Sequence, residues 1–329
     1  MRLCIFGAGA IGGHLAGRLG KGGAEVSVVA RGAHLAAIRE RGLLIRAGDG
    51  EMHLRPQASD DPARLGPQDA VIVCTKVPAL GSVARAIAPL LGPETPVLFV
   101  TNGIPWWYFA GHGGPEEGQR VPEADPDGSV WERIGPGRAI GGVIYSACHV
   151  PEPGVIEVTS KGSKLILGEP DGSRSARAVA LAGAFKAGGM PCSVSGTIRT
   201  EVWGKLLNNL SNGPLCLLTR QDMRATFRDP VLREAAVQVV REGMAIAASL
   251  GQAVPGAPEE RVTLSADIPH KPSILQDLEA GRPMEMDSLF QVVLRLGRER
   301  GVPAPTLALL VAMAAQAAEA AGLYRRAGG

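Results

Sequence analysis

One stretch of the chain, EVWGKLLNNLSNGP from Glu201 to Pro214, holds a lysine among asparagines. Lys205, Asn208, Asn209 and Asn212 fall at i, i+3, i+4 and i+7, one face of a helix. Val202, Trp203, Leu206, Leu207 and Leu210 form the other face. A face meant only for water is normally filled by Glu, Lys, Arg or Gln, which favour helix, whereas each asparagine costs roughly half a kcal/mol against alanine. Short neutral amides can orient a ligand without adding charge, and an ammonium can both give a proton and stabilise a developing oxyanion. Periodicity alone still admits both water and a ligand on this stripe. Further on, Ser273 and Asp277 stand four apart on a short helical pattern, and Glu285 opens the next helix after the break at Gly281 and Pro283. A helix cap or first-turn acid explains these as well as a binding role does.

A second group of residues suits a phosphate ligand. GAGAIG, comprising Gly7, Ala8, Gly9, Ala10, Ile11 and Gly12, follows the strand pattern RLCIF and opens an apolar helix. That context gives the G-x-G-x-x-G spacing its meaning. The first glycine permits the tight turn, the second lets backbone approach a pyrophosphate, and the third lets helix pack on strand. The helix N-terminus then offers N–H groups to the phosphates. The second strand ends VVARG, with Arg31 where an acid would accept from a ribose 2′-hydroxyl. An arginine fork suits a 2′-phosphate, so the expected cofactor is NADP(H). Lys76 and Asn102 each follow directly on a strand, VIVCTK and LFVTN, at the carboxyl ends where ligands bind in such sheets.

The elements that must position these groups divide the chain. Up to about Thr197, apolar β-branched runs alternate with helical patterns, as in a parallel sheet covered on both faces. Beyond it strand patterns vanish, and helices are expected over about 197–213, 229–250, 273–280, 286–300 and 305–321. The expected fold is α/β: an N-terminal Rossmann-type doubly wound sheet over 1–197 and a C-terminal all-α domain over 198–329. Residues 111–137, rich in Gly, Pro and acids, read as a solvated insertion or a lid. With 34 Lys plus Arg against 32 Asp plus Glu, the net charge of +2 makes no case for nucleic acid or a membrane surface. The longest apolar stretch, 306–321, is too short and too polar to span a bilayer. Five scattered cysteines without a C-x-x-C pair suit free thiols in the cytoplasm, with no metal site. The Ala-rich last helix can pack within its domain or against a second copy in a homodimer.

With these residues in hand, the chain resembles the ketopantoate reductases nearly end to end. The likeness rests on GAGAIGG, CTK ending at Lys76, NG at Asn102, WGKLLNN around Lys205, and SILQDLEAGRPMEMD from Ser273. It implies a Rossmann domain joined to a helical domain similar to that of 6-phosphogluconate dehydrogenases. It also implies NADPH-dependent reduction of a 2-oxo acid, 2-dehydropantoate to pantoate. Lys205 is then the catalytic lysine and Asn209 its neighbour in the substrate site. Ser273 contacts the substrate carboxylate, Glu285 its hydroxyl end or the catalytic network, and Asp277 belongs to the same set. Lys76 and Asn102 lie near nicotinamide and substrate. Gly213 departs from the pattern, standing where the family often has a further asparagine. The same residues also admit a reductase for a different 2-oxo acid, or a sensor that binds NADP(H) without chemistry.

Overall fold

The structure, a computed structural model, describes residues 1–326. It opens with β1 (Arg2–Phe6), α1 (Ala10–Lys21), β2 (Glu25–Val29), α2 (Gly32–Arg41), β3 (Leu43–Ala47), β4 (Gly50–Leu54), β5 (Gln57–Ser59), β6 (Ala70–Val73), α3 (Leu80–Ala86) and β7 (Val97–Phe99). It continues with α4 (Ser129–Arg133), β8 (Ala139–Tyr145), β9 (Cys148–His149), β10 (Val155–Val158), β11 (Lys164–Gly168), α5 (Ala176–Ala187) and β12 (Cys192–Val194). Eight strands form one sheet in the order β12-β11-β8-β7-β6-β1-β2-β5. From β5 through β8 the pairing is parallel, and β11 then turns antiparallel to β8. The central strands β1 and β6 are buried along almost their whole length, as their unbroken apolar runs require.

A second sheet, β4-β3-β10-β9, was not legible in the sequence as a separate layer. It packs on α1 at three glycines. An added Cβ at Gly13, Gly17 or Gly20 would sit 2.6 Å from Ile156, Ile45 or Leu54 respectively. These positions are i, i+4 and i+7, so one smooth stripe of the helix admits the sheet at backbone distance. The insertion is also more structured than its composition suggests. Just before it Trp106, Trp107, Tyr108 and Phe109 are fully buried, and Trp106 meets Phe99 and the insertion's own Trp131 edge-on at 5.2 and 6.0 Å. Asp125 accepts from the Val130 and Trp131 N–H groups (3.1 and 2.9 Å) at the start of α4. Aromatic burial therefore outweighs the loop-like Gly and Pro content.

The helical part comprises α6 (Ile198–Thr219), α7 (Met223–Thr226), α8 (Pro230–Ser249), α9 (Pro258–Ala266), α10 (Ser273–Glu279), α11 (Val292–Glu299) and α12 (Pro305–Ala320). A wider π-helical turn, Asp287–Gln291, precedes α11. α6 runs through Pro214 instead of stopping at Gly213. Asn212 to Leu217 are all buried, so packing outweighs the roughly 3 kcal/mol an interior proline costs. α8 crosses α6 closely at Gly243, where a Cβ would lie 2.7 Å from Leu207. Buried Glu242 caps α12, accepting from the Thr306 and Leu307 N–H groups (3.1 and 2.8 Å). α7 and α9 escaped the sequence reading because neither carries an apolar stripe of its own; buried Val262, with Ala266 packed beside the core, anchors α9.

By internal contacts the chain forms two compact units. One is Met1–Thr101 with Pro105–Ile198; the other is Asn102–Ile104 with the described residues from Arg199 onward.

Candidate active site

In the first unit the β1–α1 turn is shaped by its glycines. Gly7 has φ +98°, a conformation that favours glycine, and a Cβ on Gly12 would sit 2.0 Å from the Gly7 carbonyl. A Cβ on Gly9 would meet nothing within 4 Å, so backbone here faces open space. That space is a cleft of about 510 Å³. The glycine loop, Arg31, His34 and Thr75 line it, and the turn Val150–Pro153 closes another side. Thr75 Oγ1 is buried in it with no hydrogen-bond partner. Arg31, exposed, occupies the N-cap position of α2, and no acid stands at the end of β2. Ala10 and Ile11 begin α1 half-buried, and Lys76 is half-buried where the chain leaves β6. A helix N-terminus, an open glycine backbone, an unpartnered hydroxyl and an arginine fork together fit a phosphorylated dinucleotide.

Two histidines of this unit lay outside the sequence reading. His34 contacts the Ala8 carbonyl through Nε2 (2.7 Å) and accepts the Gly154 N–H at Nδ1 (3.0 Å). His14, fully buried on α1, accepts from Arg18 Nε at Nε2 (3.1 Å), which leaves Nδ1 to donate to Ser146 Oγ (3.1 Å). Arg18 also forks onto Asp49 at 2.6 and 2.7 Å. Burial, and then the Arg18 charge, push the His14 pKa down to about 4. The i, i+4 pair of His14 and Arg18 on an apolar helix was the available signal.

In the second unit Lys205 Nζ donates to Asn102 Oδ1 at 2.8 Å. Asn102 is held there by its neighbours. The Ile104 N–H donates to the Ser288 carbonyl (3.0 Å), and Gly103, at φ +84°, lies so close that a Cβ would sit 1.9 Å from that oxygen. Ser288 lies in the π-helical turn, three residues past the buried Glu285. Its own Oγ is buried without a partner. The C-terminal tail grips the same stretch: the Met284 N–H donates to the Leu323 carbonyl (3.1 Å), and Tyr324 Oη donates to Asp287 Oδ1 (2.5 Å). Burial and the neighbouring carboxylate raise the Tyr324 pKa. Nothing in the sequence pattern marks Tyr324.

Asn209 lies half-buried one turn beyond Lys205, and Ser273 is exposed at the first position of α10. Asp277 is buried and accepts from Arg282 Nε at 3.0 Å, across the turn that leads to Glu285. Asn212 serves the helix, its Oδ1 lying within accepting distance of Ser211 Oγ (3.1 Å), which also approaches the Asn208 backbone carbonyl (3.2 Å). A Cβ on Gly213 would meet Phe290 at 3.0 Å and Ile274 at 3.4 Å, so two buried apolar side chains fill the space an asparagine would take. Trp106 and Trp107 are core residues, with no exposed face to offer a ligand. Among the described residues no group of His, Cys, Asp and Glu could hold a metal ion, and no helix is long and apolar enough to cross a membrane.

Known proteins resemble the chain over its length. Residues 3–172 match the family described as Ketopantoate reductase PanE/ApbA, and residues 197–318 match Ketopantoate reductase PanE/ApbA C terminal. A 2-dehydropantoate 2-reductase of Mesorhizobium japonicum is 43% identical over 327 residues, covering 98% of this chain and 100% of the relative. A 2-dehydropantoate 2-reductase of Halobacterium salinarum is 28% identical, covering 95% and 99%. A solved structure assigned to the ketopantoate reductases, from Ralstonia solanacearum MolK2, matches with a TM-score of 0.92 at 37% identity, covering 98% and 99%.

Proposed function

The chain belongs to the ketopantoate reductase family, and from that premise we propose that it reduces 2-dehydropantoate to pantoate with NADPH. The observation that carries the reading is the ammonium of Lys205 held at 2.8 Å by the Asn102 amide oxygen. Reduction of a ketone needs a hydride at carbon and a proton at oxygen. NADPH supplies the hydride from its nicotinamide when bound. Lys205 stabilises the negative charge that develops on the ketone oxygen and gives up a proton to it, becoming a neutral amine. A proton taken up from solvent then restores the ammonium. Asn102 fixes the direction of one of the three N–H donors, so less motion is needed at the moment of transfer.

The remaining roles belong to the same proposal. Arg31 takes the 2′-phosphate, and the α1 N-terminus with Gly7 to Gly12 takes the pyrophosphate. Lys76 and Asn102 serve the nicotinamide end. Ser273 and Asn209 orient the substrate, with Ser273 assigned to its carboxylate and Glu285 to its hydroxyl end. Asp277, assigned to the same substrate set, also holds the turn before Glu285 through Arg282. Five free cysteines support a cytoplasmic setting. The exposed Leu309 and Met313 on α12 support a homodimer, which light scattering on the purified protein would detect.

A panel of 2-oxo acids followed by NADPH oxidation tests the substrate. The proposal requires 2-dehydropantoate to show the highest kcat/KM. A tenfold preference for another 2-oxo acid would reassign the enzyme. NADPH binding without turnover of any would leave a sensor.

A further inference from the structure

One side chain of the first unit is bonded to both walls of the dinucleotide cleft. His34 lies three residues after Arg31, in the first turn of α2, and lines the cleft with it. On one wall it meets the carbonyl of Ala8, inside the glycine loop (2.7 Å). On the other it meets the N–H of Gly154, which closes the turn Val150–Pro153 (3.0 Å). An N–H can only donate, so Nδ1 presents its lone pair and Nε2 carries the hydrogen given to Ala8. A single neutral tautomer satisfies both bonds.

The two contacts have different consequences. A peptide carbonyl aimed into a phosphate site would repel the ligand, whereas N–H groups attract it. Bonding the Ala8 oxygen to His34 keeps that dipole engaged away from the phosphates. The turn, meanwhile, hangs between β10 and the two-residue β9. Its other anchors include the backbone bonds from Leu44 N–H to the Gly154 carbonyl (2.9 Å) and from Val155 N–H to the Glu152 carbonyl (3.0 Å), and exposed Arg41 reaching the Pro153 carbonyl (3.3 Å). Val150 to Pro153 are themselves exposed, so little packing holds them over the cleft.

We propose that His34 is a positioning residue for the cofactor, acting through Ala8 and Gly154 to hold the glycine loop and the Val150–Pro153 turn at one fixed separation. The inference rests on NADP(H) as the dinucleotide and not on the identity of the 2-oxo acid. Direct NADPH titration by nicotinamide fluorescence on the full chain therefore tests it apart from the substrate assignment. His34→Ala and His34→Phe should each weaken NADPH binding about tenfold, the loss of roughly two ordinary hydrogen bonds. His34→Gln, which keeps a donor and an acceptor, should recover part of that loss. In turnover the change should fall on KM for NADPH far more than on kcat. Unchanged NADPH affinity in His34→Ala, or wild-type affinity in His34→Phe, would overturn the proposal; the latter would show that ring volume alone suffices.

Discussion

Lys205 and Asn102 lie 103 positions apart in the chain, yet their side chains form one donor–acceptor pair. An amide on the ammonium orients it without neutralising it, which a carboxylate in the same place would do. In the proposed reaction, replacing Lys205 with alanine removes both the proton and the charge that meet the developing alkoxide. We expect kcat to fall by about 10² to 10⁴, the range for a general acid, with NADPH affinity within twofold of wild type. Near-normal turnover would sink the assignment. Arg31 makes the opposite case, because its proposed part is confined to binding. Arg31→Ala should weaken NADPH by about tenfold to a hundredfold, as loss of a charged hydrogen-bond donor does, and leave NADH almost untouched. Equal losses for both nucleotides, measured by titration, would count against a 2′-phosphate contact.

Among the elements, the π-helical turn has an exacting neighbour. It receives the Gly103 backbone at a distance no Cβ tolerates, with φ +84° besides. Gly103→Ala should therefore lower the stability of the protein by about 2 kcal/mol or more, read from the denaturant midpoint. Because Asn102 adjoins it, kcat should fall as well, even under conditions where the protein stays folded. The glycine loop, the buried strands and the amphipathic α6 were readable because each announces itself within one local window. The second sheet was not. Its strands are short and half-exposed, and the matching signal sat elsewhere, in the glycine stripe of α1. The end of α6 was misread because Gly213 and Pro214 are local stop signals, whereas the burial that overrides them comes from tertiary packing. Lys205 and Asn209 were legible as a helical pair. Ser288, Tyr324 and His34 were not, since each matters through a partner far away in sequence.

For the whole molecule, acid sensitivity has an identifiable source. An unfolded histidine titrates near 6.5, but His14 in the folded state is held down at about 4. Between those values the unfolded chain binds a proton that the folded one refuses, so stability must fall as pH drops from about 6.5 to about 4. For a group this buried the loss is on the order of 3 kcal/mol. Asp49, held down at about 2 by Arg18, extends the same trend to lower pH, though its exposure weakens its share. Urea midpoints measured across pH 4 to 7 should show the slope, and His14→Gln should flatten it above pH 4. An unchanged slope in that variant would place the titrating group elsewhere.

Three residues, Asn102 to Ile104, belong by contact to the helical unit although the chain on both sides belongs to the other. A hybrid gene that joins the first 198 codons of one relative to the remainder of another would thus not exchange a whole unit. It would leave one parent's Asn102, Gly103 and Ile104 facing the other parent's Lys205 and Ser288. The backbone bond to Ser288 would survive such a graft, but the lysine's amide partner and the missing Cβ would come from the wrong parent. Where two parents differ over these three positions, recombination that preserves function has to carry this tripeptide together with the described residues after 198, as a discontinuous cassette.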